Sequence, residues 1–387
     1  MLAVANNPNL RLARDDANIG HAQAFAAGLL PDPQLNLSRD FPRQSTQGTT
    51  SAFNAGLGYD INNLITHAAG SSAARFDSHK IDLNLLWQEW QVVAQARLLF
   101  SRAIAQENLL RWLADSRNLL ADRYAKAKAA LDEGNLASDA VNSALSAWQD
   151  SSRQFSDLER QQLQTRNDLN ALLGLAPGTE LKLVEDETLG TPDEKEIDQA
   201  LADLPSRRPD LLALKAGYSA EDARYRQAIL AQFPPFNLAI TSARDTAGLY
   251  THGFALSLAL PLLNGNRGNI KIEEATRQRL HDEYRVRLDT AYAEAKRLVA
   301  DSRLIAAQLE TAEAGLKIFD KTTENARQAL ADGELDESGY AMFQSSLIAK
   351  HVEVSNLQQA LLENRIALLT LLGGNLDIQP VVMESHQ

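Results

Sequence analysis

The chain reads twice. Asn7-Pro8-Asn9-Leu10 recurs as Arg208-Pro209-Asp210-Leu211, and Pro33-Gln34-Leu35-Asn36-Leu37 recurs as Pro234-Pro235-Phe236-Asn237-Leu238, both 201 residues on. Further along, Ala130-Leu131-Asp132-Glu133-Gly134-Asn135-Leu136 recurs as Ala329-Leu330-Ala331-Asp332-Gly333-Glu334-Leu335, and Leu172-Leu173-Gly174 as Leu371-Leu372-Gly373, now 199 residues on. A repeat this long constrains the architecture before any motif is considered. Each half carries a helix, two short strands, a very long helix, a tight turn and a long returning helix.

The first repeat covers 1–175, with a β-hairpin at about 34–61 and a long helical hairpin at about 71–173. A linker covers 176–207. The second repeat covers 208–374, with a β-hairpin at about 236–260 and a helical hairpin at about 266–372. A C-terminal tail follows at 375–387. The second half has a short acidic helix, Asp193 to Leu204, before its Arg-Pro-Asp-Leu motif. The first half has only a few residues before Asn7, so we expect the numbering to start inside a longer precursor; no signal peptide is visible at Met1.

Aromatic residues make up only 6% of the chain, and Ala, Leu, Gln, Arg, Asp and Glu fill the long segments, as in extended helices. From about 71 to 132 there is no proline, and Gly70 and Gly134 bracket the run. Leu99, Ala103, Leu110, Leu113, Leu120, Tyr124, Ala127 and Leu131 keep an alternating three-four spacing. So do Leu298, Ile305, Leu309, Ala312, Leu316, Phe319, Ala326 and Leu330, with Ser302 and Thr323 on the same seam. A heptad seam implies left-handed supercoiling against neighbours. A helix of about 60 residues is about 90 Å long, so it must pack along its length. Each rod turns at a glycine, Gly134 or Gly333, suited to the left-handed position after a helix end. Ser138 and Asp336 are the expected N-caps of the return helices.

The strands set the class. Phe53, Ala55, Leu57, Tyr59 and Ile61 alternate with Asn54, Gly56, Gly58 and Asp60. Phe254, Leu256, Leu258 and Leu260 alternate with Gly253, Ala255, Ser257 and Ala259. Their partners are Leu35 to Phe41 and Phe236 to Arg244. A sheet that caps a soluble core usually carries long charged groups on its second face. Here that face is Asn, Ser, Thr, Gly and Ala, which suits a membrane barrel with lipid outside and water inside. Four strands cannot close a barrel, and open edges cannot face lipid. The fold expected is therefore mainly α with a membrane β-barrel portion closed by oligomerisation: a dimer would give eight strands and a trimer twelve, and a trimer would also supply twelve helical rods, enough for an α-helical coiled-coil barrel.

In these features the chain resembles the TolC-like outer-membrane efflux family over nearly its whole length. The resemblance rests on the paired Asn-Pro-Asn-Leu and Arg-Arg-Pro-Asp-Leu helix starts, the Leu260 to Ile270 stretch, the Gly134 and Gly333 turns and the two Leu-Leu-Gly ends. It implies a homotrimer in the outer membrane with its helical tunnel in the periplasm. The partners implied are a periplasmic adaptor (membrane fusion protein), an inner-membrane pump, with the RND type favoured, and outer-membrane lipid. The segment from Pro177 to Arg207 becomes an equatorial linker. Asn-Arg-Gly-Asn-Ile after the fourth strand is most similar to the heavy-metal efflux branch, so metal cations are one expected cargo. Where several relatives carry gate carboxylates within the return helix, this chain has Gly339, Tyr340 and Met342; its carboxylates lie in the turn itself.

Asp132, Glu133 and Asp139 in one turn, with Asp332, Glu334, Asp336 and Glu337 in the other, are the candidate gate and selectivity ring. Any one of them can equally be a solvated turn residue or cap, but threefold symmetry would gather the set around one mouth and favour cations. By the resemblance, Gly134, Leu136, Ser138, Gly333 and Leu335 would meet the adaptor. No catalytic constellation is visible. His281-Asp282-Glu283 does not share a helix face, and there is no His-Glu-x-x-His pair or nucleophile elbow. With no cysteine and only scattered histidines, no metal or cofactor site is expected. A net charge of −12 speaks against nucleic acid. The competing reading is a soluble, elongated coiled-coil scaffold or adaptor whose hairpins mediate dimerisation.

Overall fold

The computed structural model describes residues 2–43, 48–184, 194–234, 236–259 and 263–373. Residues 185–193 of the linker, Pro235, Leu260 to Leu262 and the tail at 375–387 lie outside the described residues. The elements run α1 (Leu2–Asn6), α2 (Pro8–Gly28), β1 (Gln34–Asp40), β2 (Ala52–Asp60), α3 (Ile61–Asp132) and α4 (Ser138–Leu172). Then come α5 (Glu194–Arg207), α6 (Pro209–Leu230), β3 (Phe236–Arg244), β4 (Tyr250–Leu258), α7 (Arg267–Ala331) and α8 (Glu337–Leu372). The fold is mainly helical with two β-hairpins, and the succession of hairpin and helical pair occurs twice.

Two compact units form, each drawing on both halves of the sequence. One comprises Met1–Arg11, Gln88–Leu204 and Thr290–Gln387, the other Leu12–Trp87 and Pro205–Asp289.

The second unit holds the sheet, a single antiparallel set in the order β1-β2-β3-β4. The two hairpins, one from each half, join through β2 and β3, where Leu57 faces Ile240 and Tyr59 faces Leu238. Strand β2 passes straight into α3. Asp60 ends the strand and caps the helix: its Oδ1 accepts from the backbone N–H groups of Asn62 at 2.9 Å and Asn63 at 3.3 Å. The long helix thus begins at Ile61, ten residues before its expected start, and Gly70 lies inside it rather than bracketing it. Gly70 has a packing reason, since a Cβ there would sit 3.0 Å from the Gln227 side-chain nitrogen on α6. Small residues line the buried side of α6 (Ala213, Ala216, Ala220 and Ala223), and Gly217 receives the Lys80 stem from α3. The start of α6 is fixed by Arg208, whose guanidinium donates two hydrogen bonds to Asp210 at 2.8 and 2.7 Å and covers the Trp87 ring at 4.8 Å. The Asn264 to Gly268 stretch is the strand-to-helix turn: Asn266 takes a left-handed φ of 55° and donates to the Ala228 carbonyl at 2.8 Å.

The first unit holds the helical hairpin turns. Its core follows the heptad seam: Leu99, Ala103 and Leu113 of α3 and Leu298, Ala312, Thr323 and Ala326 of α7 are buried. Trp112 stacks on His351 with centroids 3.8 Å apart, and Tyr124 on Trp148 at 5.5 Å, so these tryptophans pack between helices. Asn7 donates to the Leu172 carbonyl at 2.9 Å and accepts from the Leu10 amide at 3.0 Å, tying the start of α2 to the end of α4.

Candidate functional site

Two regions carry the chemistry, one in each unit. The first is the sheet. Cross-strand partners share a face, so the register sorts the side chains without ambiguity. Leu35, Leu57, Ile240 and Phe254 form one row across all four strands. Tyr59, Leu238 and Leu256 form the next, and Phe236 with Leu258 a third. The opposite face carries Asn36, Gly56, Thr241 and Gly253 in one row, and Gly58, Ala239 and Ala255 in another. The apolar face is exposed: Ile240 is 70% and Phe254 81% accessible. Exposed rows of large apolar groups backed by small and polar ones are what a barrel strand needs and what a water-soluble sheet avoids. Among the described residues β1 pairs only with β2, and β4 only with β3, so both outer edges present unpaired backbone groups. No helix among the described residues is long and apolar enough to cross a membrane.

At the loop end of the apolar face the row changes character. Arg39, Phe53, Arg244 and Tyr250 lie side by side. The two arginines belong to neither repeated motif, and three separate segments bring them together, so no local spacing announces them.

The second region is the pair of helical turns. Both end their helices in the same way. Asn135 N–H donates to the Ala130 carbonyl at 2.7 Å and Gly134 N–H to Leu131 at 2.9 Å; Glu334 N–H donates to Ala329 at 2.8 Å and Gly333 N–H to Leu330 at 3.2 Å. This six-to-one and five-to-two pattern needs a left-handed residue, and Gly134 and Gly333 supply φ of 74° and 75°. The return helices start differently. Asp336 caps α8, its carboxylate accepting from the Gly339 amide at 2.7 Å. Ser138 does not cap α4. The cap position belongs to Ala137, which has extended backbone and no side-chain bond, and Ser138 is the first helical residue.

The seven turn carboxylates are all exposed, but they are not equivalent. Glu337 pairs with Lys126 of α3, which also meets Asp122 at 3.1 Å. Glu133 accepts from the Asn135 side chain at 3.2 Å. Asp132, Asp139, Asp332 and Glu334 make no ion pair among the described residues. A cavity of about 590 Å³ brings Leu136 of the first turn together with Asp336 and Glu337 of the second, above Leu119, Lys126 and Tyr340. Leu335 is half-buried, packing over Gly339, where a Cβ would collide with its side chain. Lys126 lies in the middle of a polar helix face and gave no signal in the sequence; only the fold reveals its pairing with Glu337. Among the described residues no group of three or more His, Asp or Glu side chains is arranged to hold a metal.

The comparisons with known proteins agree with this geometry. Residues 200–374 match the family described as outer membrane efflux protein. Outer membrane protein OprJ of Pseudomonas aeruginosa is 31% identical over a stretch covering 43% of this chain and 36% of that protein. The probable outer membrane lipoprotein SilC of Salmonella typhimurium is 26% identical over 43% of this chain and 39% of that protein. The matched stretches thus span less than half the length of these curated relatives. Over nearly the whole chain the fold matches that of CusC, solved in a study of its folding and transmembrane channel formation, with a TM-score of 0.75, 21% identity, and coverage of 97% of this chain and 91% of that one. The second half of the chain thus matches the outer membrane efflux protein family, and nearly its whole length has the duplicated fold of the TolC-like channels.

Proposed function

We propose that this chain is the outer-membrane exit duct of a tripartite efflux system. Three copies join their four-stranded sheets edge to edge into a twelve-strand barrel, with the helical hairpins forming a tunnel in the periplasm. The duct conducts passively and is not an enzyme. Substrate arrives from an inner-membrane pump, of the RND type by preference, through a periplasmic adaptor. The observation that carries this reading is the sheet: an exposed apolar face, a small polar face and two unpaired edges. Lipid covers the first, water fills the space behind the second, and neighbouring copies satisfy the third.

The turns supply the periplasmic mouth. Asp132, Glu133, Asp139, Asp332 and Glu334 form its cation-favouring rim, while Asp336 and Glu337 hold the second turn in shape. Gly134, Leu136, Ser138, Gly333 and Leu335 form the adaptor contact. The Asn-Arg-Gly-Asn-Ile segment at 266–270 supports metal cations as one cargo.

The test is the mass of the purified protein in detergent combined with planar-bilayer recording. A trimer that opens a cation-preferring pore is expected. A stable monomer that stays soluble without detergent would overturn the reading.

A further inference from the structure

Two guanidinium groups stand on the apolar face of the sheet. Arg39 of β1 and Arg244 of β3 share one cross-strand row with Phe53 and Tyr250, so all four side chains leave the same face. The row lies at the opposite end of β2 from Asp60, where the strand enters α3. Both arginines converge on Ser51. Arg39 donates to the Ser51 hydroxyl oxygen from Nε at 3.3 Å and Nη2 at 3.1 Å. Arg244 Nη2 donates to the Ser51 carbonyl at 2.8 Å and to the same hydroxyl oxygen at 3.4 Å. The Arg244 Nε is buried and has no partner, and its Nη1 donates to the Tyr250 hydroxyl oxygen at 3.5 Å, which leaves Arg39 Nη1 as the outward donor without a bond among the described residues. Among the described residues neither guanidinium meets a carboxylate. Aromatic rings flank both: Arg39 lies 5.2 Å from the Phe41 centroid, and Arg244 lies 5.7 Å from Phe53 and 5.8 Å from Tyr250.

Two positive charges gathered on one neutral hydroxyl repel each other and leave donors over. On a face meant for lipid, an arginine is costly at the midplane and tolerated near the interface. The aromatic neighbours mark this row as interfacial. A phosphate is the group that matches forked, unneutralised guanidinium donors. Next to the row, the same face continues into Leu37, Ala55, Ser242 and His252, and beyond them into Leu35, Leu57, Ile240 and Phe254, a surface for acyl chains. We propose that Arg39 and Arg244, held together by Ser51, form an outward-facing site for the phosphate of a lipid headgroup whose acyl chains lie along these apolar rows. The proposal rests on the lipid-facing reading of this sheet. With the helices in the periplasm, the loop end of the strands reaches the outer leaflet, so the ligand is a phosphorylated glycolipid of that leaflet.

The experiment uses the full chain in phosphatidylcholine nanodiscs carrying either bisphosphorylated lipid A or lipid A stripped of its phosphates. Native mass spectrometry reads the retained lipid. Wild-type protein should retain the bisphosphorylated form at least about tenfold better. Arg39→Gln with Arg244→Gln should lose that preference, and Arg39→Lys with Arg244→Lys, which keep the charge but not the fork, should keep only part of it. Arg39→Gln alone, at an exposed position, should lose part of it even if the double variant does not fold. Equal retention of the two lipids by wild type, or an unchanged preference in the glutamine variants, would overturn the site. Displacement of the lipid by inorganic phosphate alone would overturn the lipid as its ligand and leave a free-anion site. A fluorophore on Ile240→Cys, with brominated acyl chains as quencher, separates the two levels. Quenching without phosphate preference removes only the site, whereas no quenching removes the lipid-facing reading and the site with it.

Discussion

Arg102 and Glu363 meet as a two-pronged pair, Nε to Oε1 at 3.0 Å and Nη2 to Oε2 at 2.9 Å, joining α3 of the first half to α8 of the second. Gln359 adds a third donor to the same carboxylate at 2.8 Å. Burial by itself would push the Glu363 carboxyl up, but the hydrogen bonds from Arg102 and Gln359 outweigh it and hold the group below its ordinary range. A carboxyl depressed in the folded state stabilises at neutral pH, and that stability is lost as pH falls through the depressed value. Glu363→Gln should cost about 1 kcal/mol at pH 7 and flatten the acid limb of the stability curve. Urea unfolding at neutral and acid pH checks both; an unchanged acid limb would contradict the assignment.

The opposite sign is expected at Glu273. Its carboxyl is pushed up to about 7, first by the hydrogen bond it shares with Glu221, then by burial and the Glu221 charge, with Arg224 opposing. Glu221 is only 3% exposed, and its Oε1 has no other partner, so a proton on Glu273 satisfies it. Arg224 holds the other oxygen of Glu221 at 3.1 Å and also pairs with Asp77 of α3. A carboxyl raised in the folded state stabilises fully below its unfolded pKa, and that stability fades as pH rises toward about 7. Glu273→Gln, a permanent mimic of the protonated form, should raise the melting temperature at pH 8 and leave it nearly unchanged at pH 5. Equal effects at both pH values would remove the shared proton.

The two sheet faces should respond differently to the same substitution. Leu256→Arg places a charge in the apolar rows and should block membrane assembly, at a cost of up to about 2–4 kcal/mol at the midplane, whereas Leu258→Arg, at the last residue of β4, should impair it less. Ser257→Arg lies on the small polar face opposite Asn237 and should assemble with altered conductance. Heat-modifiable migration on gels and single-channel recording read the two outcomes. Equal damage from all three would contradict the faces.

The turn carboxylates should divide by role. Amide replacement of Asp132, Glu133, Asp332 and Glu334 should lower cation selectivity, most strongly at low salt, where screening is weakest. Asp336→Ala should instead cost about 1 kcal/mol of helix stability through the lost cap, with little change in reversal potential. If the four amides leave the reversal potential under a salt gradient unmoved, these residues are solvated turn groups and no more.

Much of the fold was legible because its signals are periodic. The alternation in β3 and β4 assigns the faces that the register reports, and the three-four spacing places Leu298, Ala312 and Ala326 in the core. The glycine turns were legible because only a left-handed residue completes their hydrogen bonds. The missed start of α3 has a local cause. Gly70 reads as a helix breaker in sequence, yet it lies inside α3, where Gln227 approaches closely, while the true start is set by Asp60, which the alternation had already assigned to a strand. Ser138 reads as a cap by residue type, but the turn geometry gives that role to Ala137. The Lys126–Glu337 pair and the Arg39–Ser51–Arg244 cluster were illegible because each joins segments that only the tertiary fold brings together.

The central seam of the sheet has a consequence for biogenesis. Residues 53–60 of β2 pair with 237–244 of β3, strands that leave the ribosome a full half-chain apart. The local hairpin β1–β2 can form early, but its inner edge stays unpaired until the second half has been made and delivered. Loop closure over such a length costs only slowly growing entropy, yet it is slow to reach, and a waiting apolar hairpin is open to wrong partners. A newly made copy therefore depends on being shielded in transit, and the first half produced alone should aggregate through the edge of β2 that its own second half would have covered.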